Sequence, residues 1–218
     1  MTNAYIFSHN RIATELSLSA RARHYEHYPL VKGNVAPQVL LKSSNRLHKK
    51  SQQPAPAGYS LLSLDELLLS GKPVVLVFYS PVVHKADHLH FFKVLQDRLG
   101  QHATLIILAD PGNSSIRQSA DLLGKLNMYV DRHNIISEAF GLHNEQNPLW
   151  NWVPGVESDT AFINAFYVIS PGKEIVFHHI DYGFTFFSQA QEQRESFIRD
   201  VLQKVQTGTS APLAFATS

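Results

Sequence analysis

An uninterrupted apolar run, Val74 to Phe78, constrains the fold more than any other segment of this 218-residue chain. The run has β-branched and other apolar residues without polar alternation, which is typical of a strand covered on both faces. A second such run spans Ala103 to Leu108, and between them Lys85 to Leu99 has apolar residues at a helical period. Because parallel neighbours need a right-handed crossover, the sequence predicts a strand–helix–strand unit here.

Shorter patterns flank this unit. A capping box, with Ser63 at the N-cap and Glu66 at N3, predicts a short helix through Leu69. The turn Ser170–Lys173 predicts an antiparallel hairpin. The other predicted elements are a strand over Val39–Lys42, helices over Ser114–Leu126, Ile135–Phe140 (closed by Gly141) and Gln191–Val205, and the hairpin strands Ala165–Ile169 and Glu174–His179. This order of elements predicts an α/β sandwich with a mixed central sheet.

Polar segments set the expected domain limits. Residues 1–28 are mixed and polar and are interpreted as an N-terminal extension, residues 29–206 as the folded domain, and residues 207–218 as a flexible tail. Ser43 to Gly58 is rich in turn-forming residues and predicts an exposed loop. No apolar segment approaches the length of about 20 residues that crosses a bilayer, and the first residues do not have the pattern of a secretory signal. The cytoplasm is therefore the expected compartment.

Composition excludes several functions. Lys plus Arg number 19 and Asp plus Glu 18, a formal charge of +1, so the chain has no field that would gather nucleic acid or an anionic membrane. Neither is expected as a partner. Cysteine is absent from the whole sequence, which excludes disulfides, thiolate metal ligands and thiol nucleophiles. Any chemistry at this chain must use other groups.

A series of short motifs occurs along the chain in a fixed order. They are Gly33–Pro37, Ser63–Leu67, Gly71–Tyr79, Asp110-Pro111, Ala139–Leu142, Ala165–Gly172 and Ile175–Tyr182. Their order and spacing resemble those of the peroxiredoxin-like branch of the thioredoxin fold, the alkyl hydroperoxide reductase and thiol-specific antioxidant family, over Leu30 to Val205. The resemblance implies a thioredoxin-like three-layer sandwich, with a mixed central sheet and helices on both faces.

The resemblance also locates the functional positions of that family, and every one holds a different residue type here. The two cysteine positions fall at His84 and Asp87, the cis-proline position at Asn164, and the arginine position near Thr185. Peroxide reduction needs a thiolate that attacks an oxygen atom, and neither imidazole, carboxylate nor a serine such as Ser80 forms a sulfenic acid. These are degenerate active-site positions, and thiol catalysis by this chain is excluded.

Two functions from different classes remain open. The first, which we expect, is a non-catalytic module that binds a protein or a small-molecule ligand. The second is an enzyme with acid–base or metal-assisted chemistry based on His84 and Asp87. On a helix, His84, Asp87 and His88 share one face, as metal ligands do. With 12 histidines spread over the chain, this spacing is weak, and neither a metal nor another cofactor is expected.

Two further groups of residues are candidates for function. His178 and His179 lie on a predicted strand and face opposite sides of the sheet, so at most one reaches a common site. Aromatic residues are concentrated in two regions: Trp150, Trp152 and Phe162, and Tyr182, Phe184, Phe186 and Phe187. They line a groove or a dimer face if they approach one another, but core packing is expected for most. A homodimer is a further expectation from the resemblance.

Overall fold

The computed structural model describes residues 27–47, 61–81, 86–112, 116, 126–151 and 153–208. The strands are β1 (Leu40–Lys42), β2 (Leu61–Ser63), β3 (Val74–Tyr79), β4 (Thr104–Ala109), β5 (Met128–Val130), β6 (Asn164–Ile169) and β7 (Ile175–Asp181). The helices are α1 (Leu64–Leu68), α2 (Ala86–Leu99), α3 (Ile135–Ala139) and α4 (Gln191–Gly208). No helix in these ranges is long and apolar enough to span a membrane.

Five strands form a mixed central sheet in the order β5-β4-β3-β6-β7, and β1 pairs with β2 in a separate ribbon. β3, β4 and β5 are parallel, whereas β6 is antiparallel to both β3 and β7. β3 and β4 pair from Val74 with Thr104 to Tyr79 with Ala109, and α2 connects them. The strand–helix–strand unit and the hairpin are therefore confirmed.

The central sheet separates two hydrophobic cores. Alternate residues of β3 face opposite sides: Val77 belongs to a core with α2 and α4, and Phe78 to a core with α1 and β1. We call these the α2–α4 core and the α1 core. No residue of β3 is more than 1% exposed, which explains why its sequence has no polar alternation.

Local signals at the helix ends are confirmed. The Ser63 hydroxyl accepts the N–H of Glu66 at 3.1 Å, and the Glu66 carboxylate accepts the N–H of Ser63 at 2.8 Å, as the capping box predicts. Gly141 follows α3 with a φ of +70°, the left-handed conformation expected of a glycine at C′. At the other end of the chain, α4 continues beyond Val205 to Gly208, so the first two residues of the predicted tail, 207 and 208, are helical.

Two strands, β2 and β5, were not predicted. Each has three residues, too few to show a periodicity. β5 exists because it pairs with the last three residues of β4, Ile107 to Ala109. Several predictions lie outside the described residues: most of the N-terminal extension, the loop from residue 48 to 58, the tail from residue 209, and the helix over Ser114–Leu126 apart from residues 116 and 126.

Segments that precede β1 and β2 cover part of both outer strands of the central sheet. At the start of β7, Ile175 accepts the N–H of Gly33 at 2.8 Å and donates its own N–H to Asn34 at 2.9 Å. At β5, Met128 accepts the N–H of Leu47 at 2.8 Å. The chain between residues 33 and 47 therefore contacts the sheet at both margins.

Candidate functional site

The carboxyl ends of β3 and β4 meet the start of β6 at one corner of the sheet. Parallel neighbours end at the same edge, and β6 runs antiparallel to β3, so these three chain positions come together. In open α/β sheets this edge is where ligands are usually bound. Four polar side chains occupy it: Ser80, Asp110, Thr160 and Asn164. We call this set the polar corner.

Asp110 is the centre of the polar corner. One carboxylate oxygen accepts the hydroxyl of Ser80 at 3.1 Å. The other accepts the hydroxyl of Thr160 at 2.7 Å and the N–H of Gly112 at 2.8 Å. Asp110 is only 6% exposed, and a buried carboxylate is tolerated when donors of this kind replace its hydration. The carboxylate thus ties the end of β4 to the end of β3 and to the loop before β6.

Ser80 uses both its backbone and its side chain in this network. Its N–H donates to the side-chain oxygen of Asn164 at 2.7 Å, and its hydroxyl accepts the N–H of Phe162 at 3.3 Å while donating to Asp110. Among the described residues no imidazole is hydrogen-bonded to Ser80, and the Asp110 carboxylate that accepts its hydroxyl also accepts hydrogen bonds from Thr160 and Gly112. The hydrogen bonds of Ser80 therefore join the end of β3 to the end of β4 and to the segment that leads into β6.

Tyr79 precedes Ser80, and its side chain lies on the other side of the sheet. Its hydroxyl is hydrogen-bonded to Nδ1 of His88 at 2.8 Å, and the His88 ring stacks on Phe187 with the centroids 4.2 Å apart. The Tyr79 ring also meets Phe92 edge-on at 5.1 Å. Burial raises the pKa of Tyr79 because the phenolate would lose its hydration. The first turns of α2 therefore pack on an aromatic cluster.

The three predicted degenerate positions that the structure describes do not share one site. Asn164 is buried in the polar corner, and every peptide bond among the described residues is trans. Asp87 is exposed in the first turn of α2. Thr185 is also exposed, and its N–H donates to the carboxylate of Asp181 at 2.9 Å. His84 lies outside the described residues. Only Asn164 of the three described positions contributes to the polar corner.

The two predicted metal-ligand candidates that the structure describes, Asp87 and His88, have different surroundings. His88 is 6% exposed and bonded to Tyr79, whereas its neighbour Asp87 faces solvent. Within the described ranges, no group of three histidine, aspartate or glutamate side chains could hold a metal ion. Because His84 falls outside these ranges, its part in a metal site stays a prediction.

His178 and His179 have different surroundings, as their places on a strand predict. Nδ1 of His178 accepts the N–H of Lys32 at 3.0 Å. The ring of His179 packs against Phe186 and Phe197 of the α2–α4 core, with centroid distances of 5.5 and 5.3 Å. Burial lowers the pKa of His179 because the imidazolium would lose its hydration. Neither ring is hydrogen-bonded to the polar corner in the described part of the chain.

The aromatic residues that were candidates for lining one groove include members of both cores. Phe162 is buried in the α1 core and Phe186 in the α2–α4 core, on opposite sides of the sheet. Trp150 is 52% exposed, and Trp152 lies outside the described residues. Core packing is therefore confirmed for the two phenylalanines, and the hypothesis of one groove that includes both is wrong.

Asp110 and Thr160 were not predicted as site residues. A signal for Asp110 existed, because a polar residue follows each of two buried parallel runs, Ser80 after β3 and Asp110 after β4, and such ends meet at one edge. Thr160 had no local signal. It lies 50 residues from Asp110, in a loop without regular secondary structure.

Solved structures share this architecture along most of their length. AhpC of Mycobacterium tuberculosis matches with a TM-score of 0.55 and 17% identity, covering 84% of this chain and 97% of that chain. Peroxidoxin BcpB of the same organism matches with 0.53 and 13%, covering 81% and 98%. A thiol peroxidase of Chromobacterium violaceum matches with 0.50 and 15%, covering 82% and 91%. The chain has a thioredoxin-like fold.

The expected three-layer thioredoxin-like sandwich is thus confirmed. At these identities the likeness concerns the fold, not the activity. No protein-family model matches the sequence, and no curated protein matches it either. The described surroundings of Asp110 and Tyr79, together with the absence of cysteine, are therefore the basis for a functional proposal.

Proposed function

We propose that this chain is a non-catalytic thioredoxin-like module that acts by binding a partner or ligand. The polar corner carries the proposal. This corner lies at the sheet edge where α/β folds usually bind ligands. There, Asp110 and Ser80 are hydrogen-bonded to other side chains and to backbone N–H groups. A complete lack of cysteine supports the same conclusion, since the fold's relatives named above include a thiol peroxidase.

The alternative, an enzyme with non-thiol chemistry, has less support. A general base must lie within hydrogen-bond reach of the group it deprotonates. Among the described residues, the Ser80 hydroxyl faces a carboxylate and a backbone N–H. The buried imidazole of His88 is hydrogen-bonded to Tyr79 on the opposite side of the sheet from Ser80. Asp87 is exposed beside it. The carboxylate that accepts the Ser80 hydroxyl is also bonded to Thr160 and Gly112, which favours a structural role for this pair.

Peroxide consumption by the purified full chain tests the proposal. We expect hydrogen peroxide and an organic hydroperoxide, with dithiothreitol as reductant, to be consumed no faster than with heat-denatured protein, because no sulfur nucleophile is present. A faster rate that survives a chelator would contradict the proposal. A faster rate that the chelator abolishes, with stoichiometric metal in untagged protein, would establish the metal-assisted alternative instead.

A cysteine substitution tests where the fold would hold a thiol. We propose that position 84, two residues before α2 begins at Ala86, is that place. A thiol near a helix N-terminus has a lowered pKa and is more often a thiolate. His84→Cys should react with peroxide about tenfold faster at neutral pH than Leu69→Cys, the matched control at a site 85% exposed. Equal rates would show that position 84 has no such environment.

A further inference from the structure

An open cavity of about 500 Å³ lies between the N-terminal segment and the loop that follows α3. Its volume is in the range of small-molecule sites, about 300 to 1,000 Å³. Tyr28, Glu138, His143, Asn144, Glu145 and Gln146 contribute to its lining. None of these residues belongs to the polar corner, so the cavity is a separate candidate site.

The charges of the described lining residues favour a cation. Glu138 and Glu145 bring two carboxylates, and no lysine or arginine is among the described residues that line it. Tyr28, which also lines the cavity, is 76% exposed, so its side chain is accessible to a ligand. A cation above an aromatic face is attracted by the ring quadrupole, most of all when carboxylates balance its charge. These walls fit an organic cation better than an anion or an apolar molecule.

Backbone contacts hold Tyr28 at the edge of this cavity. The N–H of Leu30 donates to the carbonyl of Phe140 at 3.0 Å. A Cβ atom at Gly141 would lie 2.1 Å from the carbonyl oxygen of Tyr28, so only glycine permits the two segments to approach so closely. The position of the Tyr28 backbone is therefore fixed before a ligand arrives, which lowers the ordering cost of binding.

The two carboxylates are also positioned. An oxygen of Glu138 lies 3.3 Å from Nδ1 of His143, and Nε2 of the same buried ring lies 3.1 Å from the carbonyl oxygen of Asp159. Glu145 lies in a turn in which the Asn144 side chain accepts the N–H two residues along the chain at 2.9 Å. Glu138 thus lies beside the His143 ring, and Glu145 lies in a hydrogen-bonded turn.

We propose that this cavity binds an alkylammonium or guanidinium group, with Glu138 and Glu145 as counter-charges and the Tyr28 ring as the cation–π partner. The site goes beyond the proposed function, because it uses other residues and does not depend on whether the polar corner is catalytic. Two sources have this chemistry: a free small-molecule amine, and an arginine side chain such as the chain's own Arg21 or Arg23.

Calorimetric titration of the full chain with agmatine, which carries an ammonium and a guanidinium group, tests the site. The double variant E138Q/E145Q should bind about tenfold more weakly, because two exposed counter-charges are lost. Tyr28→Leu should weaken binding about threefold, since the ring face is lost. Glu192→Gln, which removes an exposed glutamate from the first turn of α4, should bind like the unmodified chain. Glu145→Gln alone replaces the double variant if circular dichroism shows that the latter is unfolded.

A second double variant, R21Q/R23Q, distinguishes the two sources. If the chain's own arginines occupy the cavity, agmatine should bind R21Q/R23Q about tenfold more tightly than the unmodified chain. If the natural ligand is a free amine, the two affinities should be equal. Either result, together with the loss in the carboxylate variant, supports the site. No binding by either protein, or equal affinity for the carboxylate variant and Glu192→Gln, would overturn it.

Discussion

Tyr79 and Ser80 are adjacent in the chain, yet they stabilise the same strand end by different means on the two sides of the sheet. On the Ser80 side, short polar side chains bond to one another and to backbone N–H groups around Asp110. On the Tyr79 side, large rings pack together and one hydrogen bond joins Tyr79 to His88. Hydrogen bonds need defined distances and angles, so the polar side determines where the loops lie, whereas the aromatic side contributes burial.

The largest loss of unfolding free energy is expected from a substitution in the polar corner. Asp110→Asn replaces a carboxylate oxygen that accepts hydrogen bonds with an amide group that donates them, so a buried donor of Ser80, Thr160 or Gly112 loses its acceptor. The free energy of unfolding should fall by about 2 kcal/mol in urea denaturation. Asp200→Asn, exposed on α4, should change it by less than about 0.5 kcal/mol. Equal losses in the two variants would show that the corner does not hold the loops.

A matched pair of tyrosines tests the aromatic side. Tyr79→Phe removes the hydrogen bond to His88 and should cost about 1 kcal/mol of unfolding free energy. Tyr167 is equally buried, but its hydroxyl has no hydrogen-bond partner among the described residues. Tyr167→Phe should therefore leave stability unchanged or raise it by up to about 1 kcal/mol. If both variants lose the same stability, the hydrogen bond between Tyr79 and His88 does not contribute to the free energy of unfolding.

The smallest expected effect is a dependence on pH from His179. Burial lowers the pKa of this side chain below its unfolded value of about 6.5; the nearby Asp181 opposes this shift and His178 adds to it. The unfolded chain therefore binds more protons as the pH falls through that value, and folded stability decreases below it. Because His179 is only partly buried, we expect a shallow slope, which His179→Gln should flatten.

Urea midpoints measured between about pH 7 and pH 5 check this prediction. His90→Gln is the matched control, because His90 is exposed on α2 and should leave the slope as it is in the unmodified chain. An unchanged slope in His179→Gln would mean that other groups cause any loss of stability below pH 6.5.

The long buried elements were predictable from the sequence, whereas most contacts of the polar corner were not. β3, β4 and α2 are defined by apolar runs and a helical period that depend only on local residues. The polar corner depends on contacts across the chain: Ser80 bonds to Asp110, 30 residues away, and to Asn164, 84 residues away. Short polar side chains can bond to any loop that comes near, so their partners are determined by the tertiary fold.

The backbone of residues 33 to 47 protects the two outer strands of the central sheet from pairing with other chains. Unpaired strand edges are templates on which further chains add and aggregate. Gly33 and Asn34 occupy the start of β7, and Leu47 occupies β5, so an incoming strand would first have to displace them. A chain that begins at Leu40 lacks Gly33 and Asn34, so the start of β7 would be exposed. We expect this shortened chain to self-associate during expression.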